Sequence, residues 1–151
     1  MQKLLCFSTV VLAFTLGAAK AHGQVLEKIS IQYYTTCDDK DHDTNVWTFI
    51  KKGDVQIAAK ENYAGATKFK DPGVSDEYFL DIAKKDTTKK DLDKFIVTVE
   101  SQANGNDNWE FDFKIKLYFK DGLIVTKEQK GVKLNSRGSQ KVGASYEFAL
   151  E

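Results

Sequence analysis

The stretch NWEFDFKIKLYFK, residues 108–120, is the feature that most constrains the fold. Trp109, Phe111, Phe113, Ile115, Leu117 and Phe119 occupy alternate positions, while Glu110, Asp112, Lys114, Lys116 and Lys120 fill the positions between. A strand projects successive side chains to opposite faces, so this spacing stacks six apolar groups on one side. A helix would scatter them around its circumference, so the run predicts a long strand with one buried face. Asp121-Gly122 and the alternating LIVTK follow at once, which predicts a β-hairpin.

The same period of two recurs along the chain. ISIQYY places Ile29, Ile31 and Tyr33 together, EYFLDI gives Tyr78, Leu80 and Ile82, and KFIVTVE gives Phe95, Val97 and Val99. NVWTFI alternates Val46, Thr48 and Ile50 against Trp47 and Phe49, which predicts burial on both faces. With a weaker strand at VQIAA and a closing one at SYEFAL, about eight strands are expected, with no amphipathic helix. Two stretches read as irregular: residues 60–76, with Gly65, Pro72 and Gly73, and residues 129–143, rich in Gly, Ser and Lys. The expectation is an all-β fold, an antiparallel eight-stranded β-sandwich, without internal repeats or a long linker.

Lys3, the apolar run Leu4 to Leu16 and the exit Ala19-Lys20-Ala21 have the order of a secretory signal peptide. Cleavage after Ala21 would start a secreted chain at His22, with Gln24 as a second possible start, and leave residues 22–151 as one domain. No later segment approaches the roughly 20 apolar residues of a membrane helix. The 22 basic and 22 acidic residues of the sequence give no general attraction to nucleic acid, and loss of Lys3 and Lys20 tilts the balance slightly acidic. Cys6 would leave with the leader, so Cys37 has no internal disulfide partner. It is a buried small side chain, an intermolecular partner or a free thiol. A bound cation is one staple open to a small domain without disulfides.

TTCDDKDHDTN, residues 35–45, carries Asp38, Asp39, Asp41 and Asp43 directly after an alternating run. The spacing of Asp39, Asp41 and Asp43 suggests the start of an EF-hand loop, but Thr44 stands where the turn needs glycine and Ile50 where a bidentate glutamate belongs. A hard cation can instead be gathered from two loops. NGNDNW offers Asn106, Asp107 and Asn108, and alternate loops of an antiparallel sandwich fall at the same end. Close carboxylates repel unless a cation lies among them. The competing reading is two ordinary solvated turns, in which Asp and Asn bond nearby backbone.

The order IQYYTTCDDKDHDTNVWTFI, DEYFLDI and LDKFIVTVESQANGNDNWEFDFKIKLYF resembles the PLAT (lipoxygenase-homology) family over roughly residues 28–120. Thr36, Asp38 and Asp39 stand at the family's loop start, Asp43, Thr44, Asn45 and Val46 at its lead into the second strand, and Asp107, Asn108 and Trp109 at its later motif. The chain departs from the pattern at Cys37, where the family has glycine, and extends past it from Gly122 to Glu151. The resemblance implies a β-sandwich that binds calcium at its loops and docks to a lipid surface or protein partner without catalysis. On that reading the calcium ligands come from Asp38, Asp39, Asp41, Asp43, Asn45, Asp107 and Asn108, and Tyr63 and Phe69 are loop aromatics for a membrane or partner contact. Core packing is the plain alternative for those two rings.

Other classes keep some footing. A carbohydrate-binding module needs an exposed aromatic platform, for which Trp47, Trp109, Tyr33, Tyr34 and Tyr118 are candidates, although most lie in core-type runs. A copper site built on His22 and His42 would have to bridge the length of the first strand. Zinc lacks its usual three or four soft ligands, Cys37 with His42 lacks a third catalytic partner, and a glycosidase pair of carboxylates has no visible separation in a sequence. The residues therefore favour a binding module over an enzyme.

Overall fold

A computed structural model describes residues 24–150. The expected leader, its expected cleavage point and His22 lie outside the described residues. In chain order the strands are β1 (Leu26–Thr35), β2 (Asn45–Lys52), β3 (Val55–Tyr63), β4 (Gly73–Val74), β5 (Tyr78–Ile82), β6 (Lys94–Gln102), β7 (Asn106–Phe119), β8 (Ile124–Arg137) and β9 (Lys141–Ala149). All eight expected strands are present, together with the two-residue β4. The one helical element among the described residues is a 3-10 turn, Lys89–Leu92. Thr88 caps it by accepting from the Asp91 N–H while the Asp91 carboxylate accepts from the Thr88 N–H.

Every pairing is antiparallel, in the order β8-β7-β1-β5-β3-β2-β6-β9, with β4 beside the end of β1. β5 joins the two halves: Tyr78 to Leu80 pair with β1, and Asp81 and Ile82 pair with β3. The halves face each other across one core, and β8 and β9 approach on the far side. The odd-numbered apolar residues of β7, Trp109 to Phe119, are all buried, as their spacing requires. At the hairpin, Gly122 takes φ +87° and its N–H donates to the Phe119 carbonyl at 2.9 Å.

One expectation needs correction. Residues 129–143 are mostly regular: β8 continues to Arg137 and β9 begins at Lys141. A bulge hides the alternation. Phe113 pairs with Gln129 but Phe111 with Val132, so an extra residue enters β8 at Lys130-Gly131. Gly131 adopts φ +67°, and its N–H donates to Asp112 Oδ1 at 2.8 Å. Beyond the bulge Val132, Leu134 and Ser136 are buried, while before it Val125, Lys127 and Gln129 are half-buried. The inserted residue shifts the phase of the pattern, so no single period of two runs through the strand.

Between the halves, three buried hydroxyls form a closed ring. Tyr33 Oη lies 2.7 Å from Thr48 Oγ1 and 2.5 Å from Tyr63 Oη, and Thr48 Oγ1 lies 2.6 Å from Tyr63 Oη. Each oxygen can donate once and accept once, so β1, β2 and β3 are joined with no orphaned group. Tyr63→Phe leaves Tyr33 and Thr48 with only each other and is expected to cost about 1–2 kcal/mol. Urea denaturation checks this, and an unchanged midpoint would show that the ring adds nothing.

Candidate functional site

The acidic loop and the start of β7 meet. On leaving β1 the chain stays against β7: the Thr36 N–H donates to the Glu110 carbonyl at 2.9 Å, and the Glu110 N–H to the Asp38 carbonyl at 3.1 Å. Lys40 and Phe69 then exchange backbone hydrogen bonds of 3.2 and 3.0 Å, tying this loop to the one after β3. Asp107 sits inside β7, not in the preceding turn, so alternation turns its side chain inward. Its Oδ2 accepts from Thr44 Oγ1 at 2.5 Å and from the Asp41 N–H at 3.3 Å. Burial pushes the Asp107 carboxyl upward, against the two hydrogen bonds that favour its charge.

Lys40 occupies the middle of this junction. Its side chain is wholly inaccessible, and Nζ donates to the carbonyls of Asp41 and Thr44, each at 2.7 Å. The Phe69 ring lies beneath the ammonium, with its centroid 5.0 Å away. Burial lowers the Lys40 pKa from 10.5 to about 8, opposed by the charges of Asp107, Asp41 and Asp43. Nearer solvent, Lys68 Nζ is 2.6 Å from Asp39 and 3.7 Å from Asp41.

The seven residues considered as calcium ligands do not form one set. Asp39 and Asp41 pair with Lys68, and Asp107 accepts from Thr44 and the Asp41 backbone. Asp43 is half-buried within reach of Lys40. Asn45 opens β2 with its amide oxygen pressed against the Gly65 backbone, where a Cβ on residue 65 would collide with it. Asn108 projects opposite to Asp107, across from Asn135, and Asp38 is exposed with its charge acting on Lys133. Among the described residues, no three His, Cys, Asp or Glu side chains are arranged to hold a metal. Cys37 and His42, on the same loop, are exposed.

The aromatics separate clearly. Tyr63 and Phe69, considered for partner contact, are 8 % and 4 % exposed and belong to the core. Tyr63 is held by the hydroxyl ring, and Phe69 packs on Tyr33, Trp109 and Tyr78. Of the platform candidates, Tyr33 and Trp109 are core residues, and Trp47 lies under Lys141 Nζ, 3.8 Å from its ring centroid. Tyr34 and Tyr118 do turn outward on the same sheet. Tyr34 pairs with Asp112 of β7, however, and Tyr118 stands further along that strand, so the two rings are about 20 Å apart.

Tyr118 centres a surface that sequence reasoning misses. Phe79 and Ile124 are 50 % and 55 % exposed. Ile124 pairs across from Tyr118, Lys28 pairs with it on the other side, and the Phe79 ring lies 6.4 Å from its own. The Tyr118 hydroxyl donates to Glu77 Oε1 at 3.0 Å, as do Ser30 Oγ at 2.6 Å and Lys116 Nζ at 3.1 Å. Those donors hold the Glu77 carboxyl below its ordinary range, with Ser30 the largest cause. The ring therefore has a fixed polar tip and an outward apolar body. The available signal is that Phe79 and Ile124 fall on the off-core phase of their strands. No family model, curated protein or solved structure matches this chain.

Proposed function

We propose that this chain is an exported, non-catalytic binding module that docks to a lipid surface through the outward face around Tyr118. The observation that carries this reading is the exposure of Phe79 and Ile124 on either side of that ring. Single exposed apolar residues are ordinary, but two large ones flanking an anchored tyrosine make a contiguous patch. Lys28 and Lys120 are exposed beside it, on the outward phase of β1 and just past β7. Such ammoniums can reach lipid phosphates while apolar tips enter the acyl boundary. The sugar-platform alternative draws less support, because the Phe79 and Tyr118 rings are tilted by 39° instead of coplanar.

Sedimentation with vesicles of phosphatidylcholine and phosphatidylserine tests this. The unaltered chain is expected to pellet with the vesicles, and the double variant Phe79→Ser, Ile124→Ser to bind at least tenfold more weakly. Removing two inserted side chains, each contributing on the order of 1 kcal/mol or more, produces that loss. An unaltered chain that stays in the supernatant, or a double variant that pellets equally, would sink the proposal.

A further inference from the structure

We infer that Lys40 is the resident cation of the acidic junction, gathering with its own side chain the loop oxygens that a calcium ion would otherwise bring together. The resemblance to calcium-dependent sandwiches implies a metal here, and the residues do not fit one. A calcium site in this position would draw on the Asp41 and Thr44 carbonyls and on Asp107. Both carbonyls already accept from Lys40 Nζ at 2.7 Å. Asp107 already accepts from Thr44 Oγ1 and the Asp41 N–H, and supplies the largest favourable charge to the ammonium. The Phe69 ring closes the remaining side of Lys40, 5.0 Å from Nζ, where a hard cation would want oxygen. A second ammonium, Lys68, neutralises Asp39 and Asp41 at the rim.

The arrangement also joins three segments through one residue. The Lys40 backbone pairs with Phe69, its side chain holds the turn from Asp41 to Thr44, and that turn grips Asp107 of β7. Both loops are thereby ordered without metal, so their order does not vary with calcium. The inference is independent of lipid docking, which uses the outward face around Tyr118.

Thermal melting of the full chain in millimolar calcium and in chelator is the deciding experiment. The unaltered chain is expected to melt at the same temperature, within about 1 °C, in both, because a ligand that bound the native state would raise it. Lys40→Met strands two carbonyls and removes the positive charge beside Asp107, and is expected to melt on the order of 10 °C lower in both conditions. Lys40→Gln, which keeps a donor on a shorter stem, should fall by less. A calcium-dependent rise of more than about 3 °C in the unaltered chain would overturn the inference. So would a Lys40→Met chain that melts with the unaltered one. The calcium comparison needs no variant, so it decides the matter even if Lys40→Met does not fold.

Discussion

Trp109→Ala is expected to lower the unfolding free energy by about 3–5 kcal/mol, moving the urea midpoint down by about 2 M. Trp109 is 1 % exposed and stacks on Phe111 with centroids 3.8 Å apart. Tyr33 and Phe69 pack against it at 5.1 and 5.5 Å, and its indole N–H donates to Thr35 Oγ1 at 3.3 Å. Truncation thus removes the shared neighbour of three buried rings and leaves a cavity that rigid strands cannot close. The loss also reaches the acidic junction, since Phe69 is both the floor under Lys40 and the partner of its backbone. Trp47→Ala is the control. Trp47 lies on the outward side of β2 under the ammonium of Lys141, and its loss should cost about 1–2 kcal/mol. Equal losses at the two positions would show that Trp109 is not the centre of the core.

The strands are legible because burial on one face writes a period of two, and β7 writes it six times without interruption. The same rule fails where the backbone breaks phase. The extra residue at Gly131 makes a regular strand read as a loop. Geometry between distant segments is legible only in outline. That residues 38–44 and Asp107 share one end follows from antiparallel connectivity, and they do touch. Which of seven oxygen-bearing side chains converge does not follow, because it depends on strand phase at each position. Asp107 and Asn108 are adjacent in sequence and project to opposite faces. Lys40, set among aspartates, has the composition of a solvated charge run. Its burial comes from a loop 29 residues further along, which carries Phe69 beneath it, and no local pattern encodes that crossing. Phe79 and Ile124 escape notice for the opposite reason: alternation assigns off-core positions to solvent without saying that two of them adjoin.

Stability is expected to rise between pH 8 and about pH 10 and then fall steeply. The folded pKa of Lys40 is lowered to about 8 by burial, against 10.5 for an unperturbed lysine. Between those values the unfolded chain binds more protons than the folded one, so unfolding becomes less favourable as pH increases. At about 1.4 kcal/mol for each pH unit between the two values, the gain is at most about 3 kcal/mol. Tyr33 and Tyr63 act in the other direction. Burial raises both above the ordinary value of 10, with the hydroxyl ring shaping the remainder. Above pH 10 the folded chain keeps protons that the unfolded chain releases, so each tyrosine removes up to about 1.4 kcal/mol of stability per pH unit. Lys68, Lys116 and Lys133 also have raised values, but their exposure makes them minor. Urea midpoints at about pH 7.5, 9.5 and 11 test the profile. Lys40→Met should abolish the rise, and Tyr63→Phe should reduce the alkaline loss. A decline that begins at pH 7.5 and never reverses would show that Lys40 is not buried as an ammonium. The rise does not require the loops to loosen. A neutral amine still has two N–H donors for the two carbonyls of Asp41 and Thr44, so deprotonation relieves the buried charge while the junction it holds stays closed.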